Sequence, residues 1–240
     1  MCALLSVPLL TLSSAHAFIH VRSAQNGSPV KWSSGTPLVF RTNEINSNGI
    51  SATDLFRVFT TSLNRWKQAA SNGFSFIYYQ GTDSNRYPNY IGAPQDSSIF
   101  FTSNTNAADR LACGVIALTQ VWFDPSNGNA NRAELRFNDL CYQFTLNPYD
   151  VPSQSRVYLG DVATHELGHA LGLDHSQNLQ SSQIFTVAAQ METPSCDDQA
   201  AMIHLYGDSV RGQTGSLSGQ ITYNGSAVFG AHVHVIQFER

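Results

Sequence analysis

Charge is scarce in this chain. Asp, Glu, Lys and Arg together make up 12% of its 240 residues. The 13 basic residues form no run, and 17 acidic ones bring the net charge to −4. That excludes the electrostatic footprint of a nucleic-acid partner or an anionic membrane surface. Long apolar runs are also missing, so no segment reads as a membrane span. No unit of 20–50 residues repeats, which excludes a solenoid or propeller. Histidine is absent between His20 and His165, and cysteine is limited to 4 residues.

What is present points to one large domain with a sizeable core, since 42% of residues are hydrophobic. Ser, Thr, Asn, Gln and Gly supply the polar surface, as in many extracellular proteins. Ala3 to Leu12 is a short apolar run, and Ala15-His16-Ala17 is a small-x-small site. Residues 1–17 are therefore expected to be a signal peptide cleaved after Ala17, giving a secreted protein. Export favours a disulfide. Cys113 and Cys141 flank the same predicted hairpin and form the expected pair, with Cys196 left over.

The periodicities suggest an α+β order. Leu38 to Arg41 reads as a strand. Ser51, with Asp54 three residues on, opens a helix carrying Leu55, Phe59, Leu63, Trp66 and Ala70 on one face, and Asn72-Gly73 ends it. Phe74, Phe76 and Tyr78 alternate as in a strand. A polar loop at 80–95 precedes strands at Ile99 to Thr102 and Val115 to Phe123. A turn at Asp124 to Asn131 leads into a strand with Ala133, Leu135 and Phe137 alternating. A helix is expected over Leu159 to Leu173, and a last one from its Ser195 and Asp198 cap through Leu205, stopped by Gly207. The reading is a sheet, then a helix carrying the site, then a second lobe with a short helix.

The chemistry concentrates in His165-Glu166-Leu167-Gly168-His169-Ala170-Leu171-Gly172-Leu173-Asp174-His175. Two histidines four residues apart share one helix face and can grip one metal ion. Glu166 sits beside that face, in reach of a water on the metal. Gly172 lets the chain leave the helix sharply, which can bring His175 round as a third ligand. Three protein ligands leave a fourth position open, which is the catalytic rather than the structural zinc arrangement.

This stretch carries the metzincin signature. Ala163 to Ser176 resembles a matrixin active-site helix almost throughout, with Ser176 directly after the third histidine. Asp197 to Gly207 resembles the closing helix of the matrixin domain, and the likeness covers roughly residues 30–207. The resemblance implies a metzincin-like catalytic domain over 18–207, with a twisted mixed sheet, an active-site helix and a C-terminal helix. It implies one catalytic Zn²⁺ on His165, His169 and His175, with Glu166 as general base and then general acid in the hydrolysis of protein or peptide substrates by a monomer. It also implies a methionine in a turn beneath the metal. Met191 is the match, although Met191-Glu192-Thr193-Pro194 has one residue more than the usual matrixin spacing. Calcium is common in that family, and Asp124, Asn127, Asn129, Asn131 and Glu134 offer oxygens for a Ca²⁺ ion or simply build an Asn-rich turn. The family's histidine-built structural zinc cannot form here, and no cysteine precedes residue 113 in the expected mature chain to act as a latency switch.

Two other functions stay open on sequence: an extracellular zinc-containing binding or adhesion module, and a zinc hydrolase for non-peptide substrates. His204 reads as a surface or packing residue, and His232 and His234 as ordinary strand residues. Residues 208–216 read as a linker. Leu217 to Phe238 reads as strand, Asn224-Gly225 turn, strand. Ser218-Gly219-Gln220-Ile221 and Gly230 to Val235 resemble the opening of a carboxypeptidase-regulatory-like β-sandwich, so 217–240 is expected to be a partial accessory domain.

Overall fold

The computed structural model describes residues 18–80, 97–104, 110–149, 156–176, 181–183, 190–207 and 219–228. The expected signal peptide, most of the 80–95 loop, the linker, His232 and His234 lie outside these residues. The chain divides into two compact units, one of which spans Phe18–Gln213. Of the other, only a hairpin is described, with strands at Thr222–Tyr223 and Ser226–Ala227. Asn224 and Gly225 both take positive φ, as the Asn-Gly turn demands.

The main unit is built on a six-stranded mixed sheet. Its strands are β1 (Lys31–Trp32), β2 (Leu38–Thr42), β3 (Phe76–Gln80), β4 (Ser97–Phe101), β5 (Ala117–Phe123) and β6 (Asn129–Phe137). The order β1-β6-β4-β2-β3 is parallel throughout, while β5 pairs antiparallel with β6. Among the described residues β5 is therefore an edge, with β6 as its one strand partner. Along β2, Leu38, Phe40 and Thr42 are buried and alternate with half-buried Val39 and Arg41, the period-2 pattern of a strand with one covered face. β7 (Gln143–Thr145) and β8 (Arg156–Tyr158) form a separate parallel pair leading into the site helix.

Three α-helices are described in the unit: α1 (Ala52–Ala69), α2 (Leu159–Ala170) and α3 (Cys196–Tyr206). Ser51 caps α1 by accepting from the Asp54 N–H, and Ser195 and Asp198 form a full capping box on α3. The inward face of α1 places Phe59 against the rings of Tyr78 and Phe137. Trp66 is fully buried, and its indole N–H donates to the Thr164 carbonyl of α2 at 2.8 Å. Each such side chain contributes roughly 1.5–3 kcal/mol through burial. One core runs from Val30 to Tyr206.

The expected Cys113–Cys141 disulfide is present. It ties the start of β5 to the end of β6, because the hairpin returns the chain to its own base. Some boundaries differ from the sequence reading. β5 starts at Ala117 rather than Val115. The site helix ends at Ala170 rather than Leu173. There the Leu171 N–H is shared between the Leu167 and Gly168 carbonyls, and Gly172 turns out with φ +97°.

Candidate metal centre

Every residue of α2 except His169 is buried. Its backbone approaches its neighbours closely at Gly168, where a Cβ would stand 2.1 Å from Gln183 Nε2 and 2.8 Å from Trp66 Cζ2. At Gly172 a Cβ would meet the Val30 carbonyl oxygen at 2.1 Å, so glycine is required there on two counts. Beyond it the chain is pinned by the N-terminal segment. The Val21 N–H donates to Gly172 O at 2.9 Å, and the Asp174 N–H to Ile19 O at 3.0 Å. This delivers His175 to the exposed end of the helical histidine pair.

The three Nε2 atoms converge. They stand 3.1 Å apart for His165–His169, 3.2 Å for His169–His175 and 3.3 Å for His175–His165. Three nitrogens bound tetrahedrally to one zinc at about 2.0–2.1 Å would lie about 3.3 Å apart, so the triangle fits that ion. Among the described residues these histidines are the one group of three or more His, Cys, Asp or Glu able to share a metal. The Nδ1 of His165 lies 2.8 Å from Ser182 O, and that of His169 lies 2.9 Å from Leu173 O. Carbonyls only accept, so both rings carry their proton on Nδ1 and turn the Nε2 lone pair to the centre. Burial, and then the neighbouring His169, hold His165 down to about 3. Burial also lowers His169 and His175. Neutral imidazoles are the form a metal requires.

Glu166 stands beside the triangle and is 4% exposed. Burial pushes its carboxyl up to about 7, against the opposing hydrogen bond from Thr119. Thr119 Oγ1 donates to Glu166 Oε2 at 2.6 Å and lies 3.0 Å from Glu166 O. The histidines and Glu166 open on a groove of about 600 Å³, walled by β5 from Ala117 to Phe123 and by Val21, Leu173 and Asp174.

The chain matches the matrixin family model over residues 31–207. It belongs to the matrixin family. No curated protein matches it as a relative. The matrixin domain is that of a zinc metalloendopeptidase, and the convergent imidazoles suit the metal that family uses.

In this matrixin the Met191 segment is held to α2 by polar side chains. The Gln190 N–H donates to Asp161 Oδ2 at 3.0 Å, and Ser182 Oγ donates to Met191 O at 2.8 Å. Arg65 of α1 donates to Glu192 O at 2.9 Å and pairs with the Glu192 carboxylate, which also accepts from Tyr158 at 2.8 Å. Met191 itself is half-buried. Behind His165, Asp198 accepts from Ser181 Oγ at 2.5 Å and from the Ser182 N–H at 2.8 Å. Gln183 Nε2 donates to His165 O at 2.9 Å.

Sequence reading missed Thr119, Asp161, Ser182 and Gln183, and saw Asp198 only as a cap. Thr119 sits between Ala117 and Val121 on an alternating strand and looks like any β-branched filler. The other candidates fall elsewhere. His204 packs against the rings of Phe18 and His20. Asp124 accepts from Ser126 and Asn127, the Asn127 side chain accepts from the Asn129 N–H, and Glu134 is buried between Arg132 and Arg136. These oxygens serve the turn and the sheet, which leaves the calcium expectation without support.

Proposed function

We propose that this matrixin is a secreted endopeptidase in which His165, His169 and His175 hold the zinc and Glu166 moves the protons. The observation that carries it is the Nε2 triangle with a buried carboxylate in the same groove. When bound, zinc supplies Lewis acidity to a water and to the scissile carbonyl. Glu166 takes a proton from the attacking water at a carboxylate oxygen and passes it to the leaving amine. The edge strand β5 lines the groove, so an extended peptide can add to it as a further strand. Val21, Val121 and Leu173 give the groove apolar walls. Secretion, with cleavage after Ala17, is supported by the apolar run Ala3 to Leu12 and by the Cys113–Cys141 disulfide. A monomer is the working form. No helix among the described residues is long and apolar enough to cross a membrane.

Casein cleavage by zinc-loaded protein tests this. Glu166→Gln is expected to lower kcat by about 10²–10⁴-fold with zinc content unchanged. A chelator should abolish cleavage, and added zinc should restore it. A Glu166→Gln enzyme working at the wild-type rate would sink the mechanism. No cleavage by zinc-loaded wild type would favour a zinc-containing binding module instead.

A further inference from the structure

We propose that Thr119 is a positioning residue for Glu166, its hydroxyl on the edge strand β5 fixing the plane of the Glu166 carboxylate. The inference rests on the reading of Glu166 as the proton carrier. A glutamate carboxylate turns freely about its last side-chain bond, which has no staggered wells. A buried glutamate on a helix therefore needs a partner to present one oxygen reproducibly. Thr119 Oγ1 engages Oε2 at 2.6 Å, so Oε1 is left for proton exchange. The same hydroxyl lies 3.0 Å from the Glu166 backbone oxygen, which holds it over the first residue after His165.

The residue type argues for this role. Ala117, Thr119 and Val121 share the half-buried face of β5, and Ala117 and Val121 pack against the core as plain hydrocarbons. Valine has the shape of threonine and strand propensity to match, so packing alone does not call for a hydroxyl there. Leu135 stands opposite Thr119 on β6 and offers it no side-chain hydrogen-bond partner. The hydroxyl's use is Glu166. Thr119 also lines the groove, so the strand proposed to receive the peptide is the one that orients the carboxylate. Displacements of about 1 Å at a reacting group can cost 10²-fold in rate.

Thr119→Val and Thr119→Ser, prepared as zinc-loaded proteins, test this. Thr119→Val is expected to lower kcat for a peptide substrate roughly tenfold, with KM and zinc content held and Tm lowered by no more than the loss of one buried hydrogen bond. Thr119→Ser, which keeps the donor, should restore most of the rate. In ¹³C NMR the Glu166 Cδ resonance, assigned by its loss in Glu166→Gln, should shift in Thr119→Val and return in Thr119→Ser. A Thr119→Val enzyme within twofold of wild-type kcat overturns the proposal, as does a Glu166 resonance that does not move. Loss of zinc or of Tm in both variants assigns Thr119 a packing role and also overturns it. An inactive Glu166→Gln beside an active Thr119→Val sinks this proposal alone, whereas an active Glu166→Gln sinks the reading beneath it.

Discussion

Helices α1 and α2 pack against each other and obey opposite rules. α1 buries Leu55, Val58, Phe59, Leu63 and Trp66 on one face and leaves Arg57 and other polar residues to water. α2 has no outer face, since all but His169 is buried. A polar side chain on α1 can find water. One on α2 must find a partner inside the protein, because an unpaired buried group costs about 1–3 kcal/mol. Asp161 takes the Gln190 N–H, Thr164 lies 3.0 Å from Ser62 Oγ, His165 takes Ser182 O and Glu166 takes Thr119. α1 is thus specified by volume and α2 by pairing. Volume is tolerant of exchange, whereas pairing is not, and the metal centre sits on the helix specified by pairing.

The comparison can be broken most directly at Trp66. Trp66→Ala removes the largest fully buried side chain of α1 and the donor to Thr164 O. It should cost about 3–5 kcal/mol in urea unfolding. A loss below about 1 kcal/mol would mean that α1 does not anchor α2.

Asp161 sharpens the other side. Burial pushes its carboxyl up to about 6 from 3.8. Between those values the folded chain keeps a proton that the unfolded chain has released. Stability attributable to Asp161 is therefore present below about pH 4 and falls as pH rises to about 6, by an amount on the order of 3 kcal/mol. Asp161→Asn has no proton to lose and can still accept from Gln190, so its stability should be flatter across that range. Parallel unfolding curves for the two proteins from pH 4 to 7 would show that the α2 carboxyl is not strained by burial.

The smallest effect belongs to Arg57, whose side chain is 67% exposed beside Asp54. Arg57→Ala should move Tm by less than about 2 °C, because exposed ion pairs contribute little. A larger drop in calorimetry would mean that the outer face of α1 is not merely solvated.

Much of this was legible in the chain. The apolar period of α1, its Ser51 cap and the Ser195–Asp198 cap of α3 are local signals, and each element begins where its signal stands. The Cys113–Cys141 pair was legible because a hairpin necessarily brings its own ends together. β1 is two residues long, too short to show any period. The parallel order β1-β6-β4-β2-β3 joins segments far apart in sequence, and nothing in one strand names its neighbour. The edge position of β5, which makes the groove, follows from that order and was equally hidden.

Sequence by itself determined the candidate metal-binding set. His165 and His169 share a face because a helix turns every 3.6 residues, and Gly172 supplies the backbone angle that lets the chain turn back toward them, a turn that the Val21 and Ile19 hydrogen bonds then hold. Tertiary structure alone decided how those groups are held. Ser182 reaches His165 from 17 residues away, and Thr119 reaches Glu166 from 47. A backbone carbonyl and a strand hydroxyl leave no mark in a local pattern, because what selects them is the place the folded chain gives them.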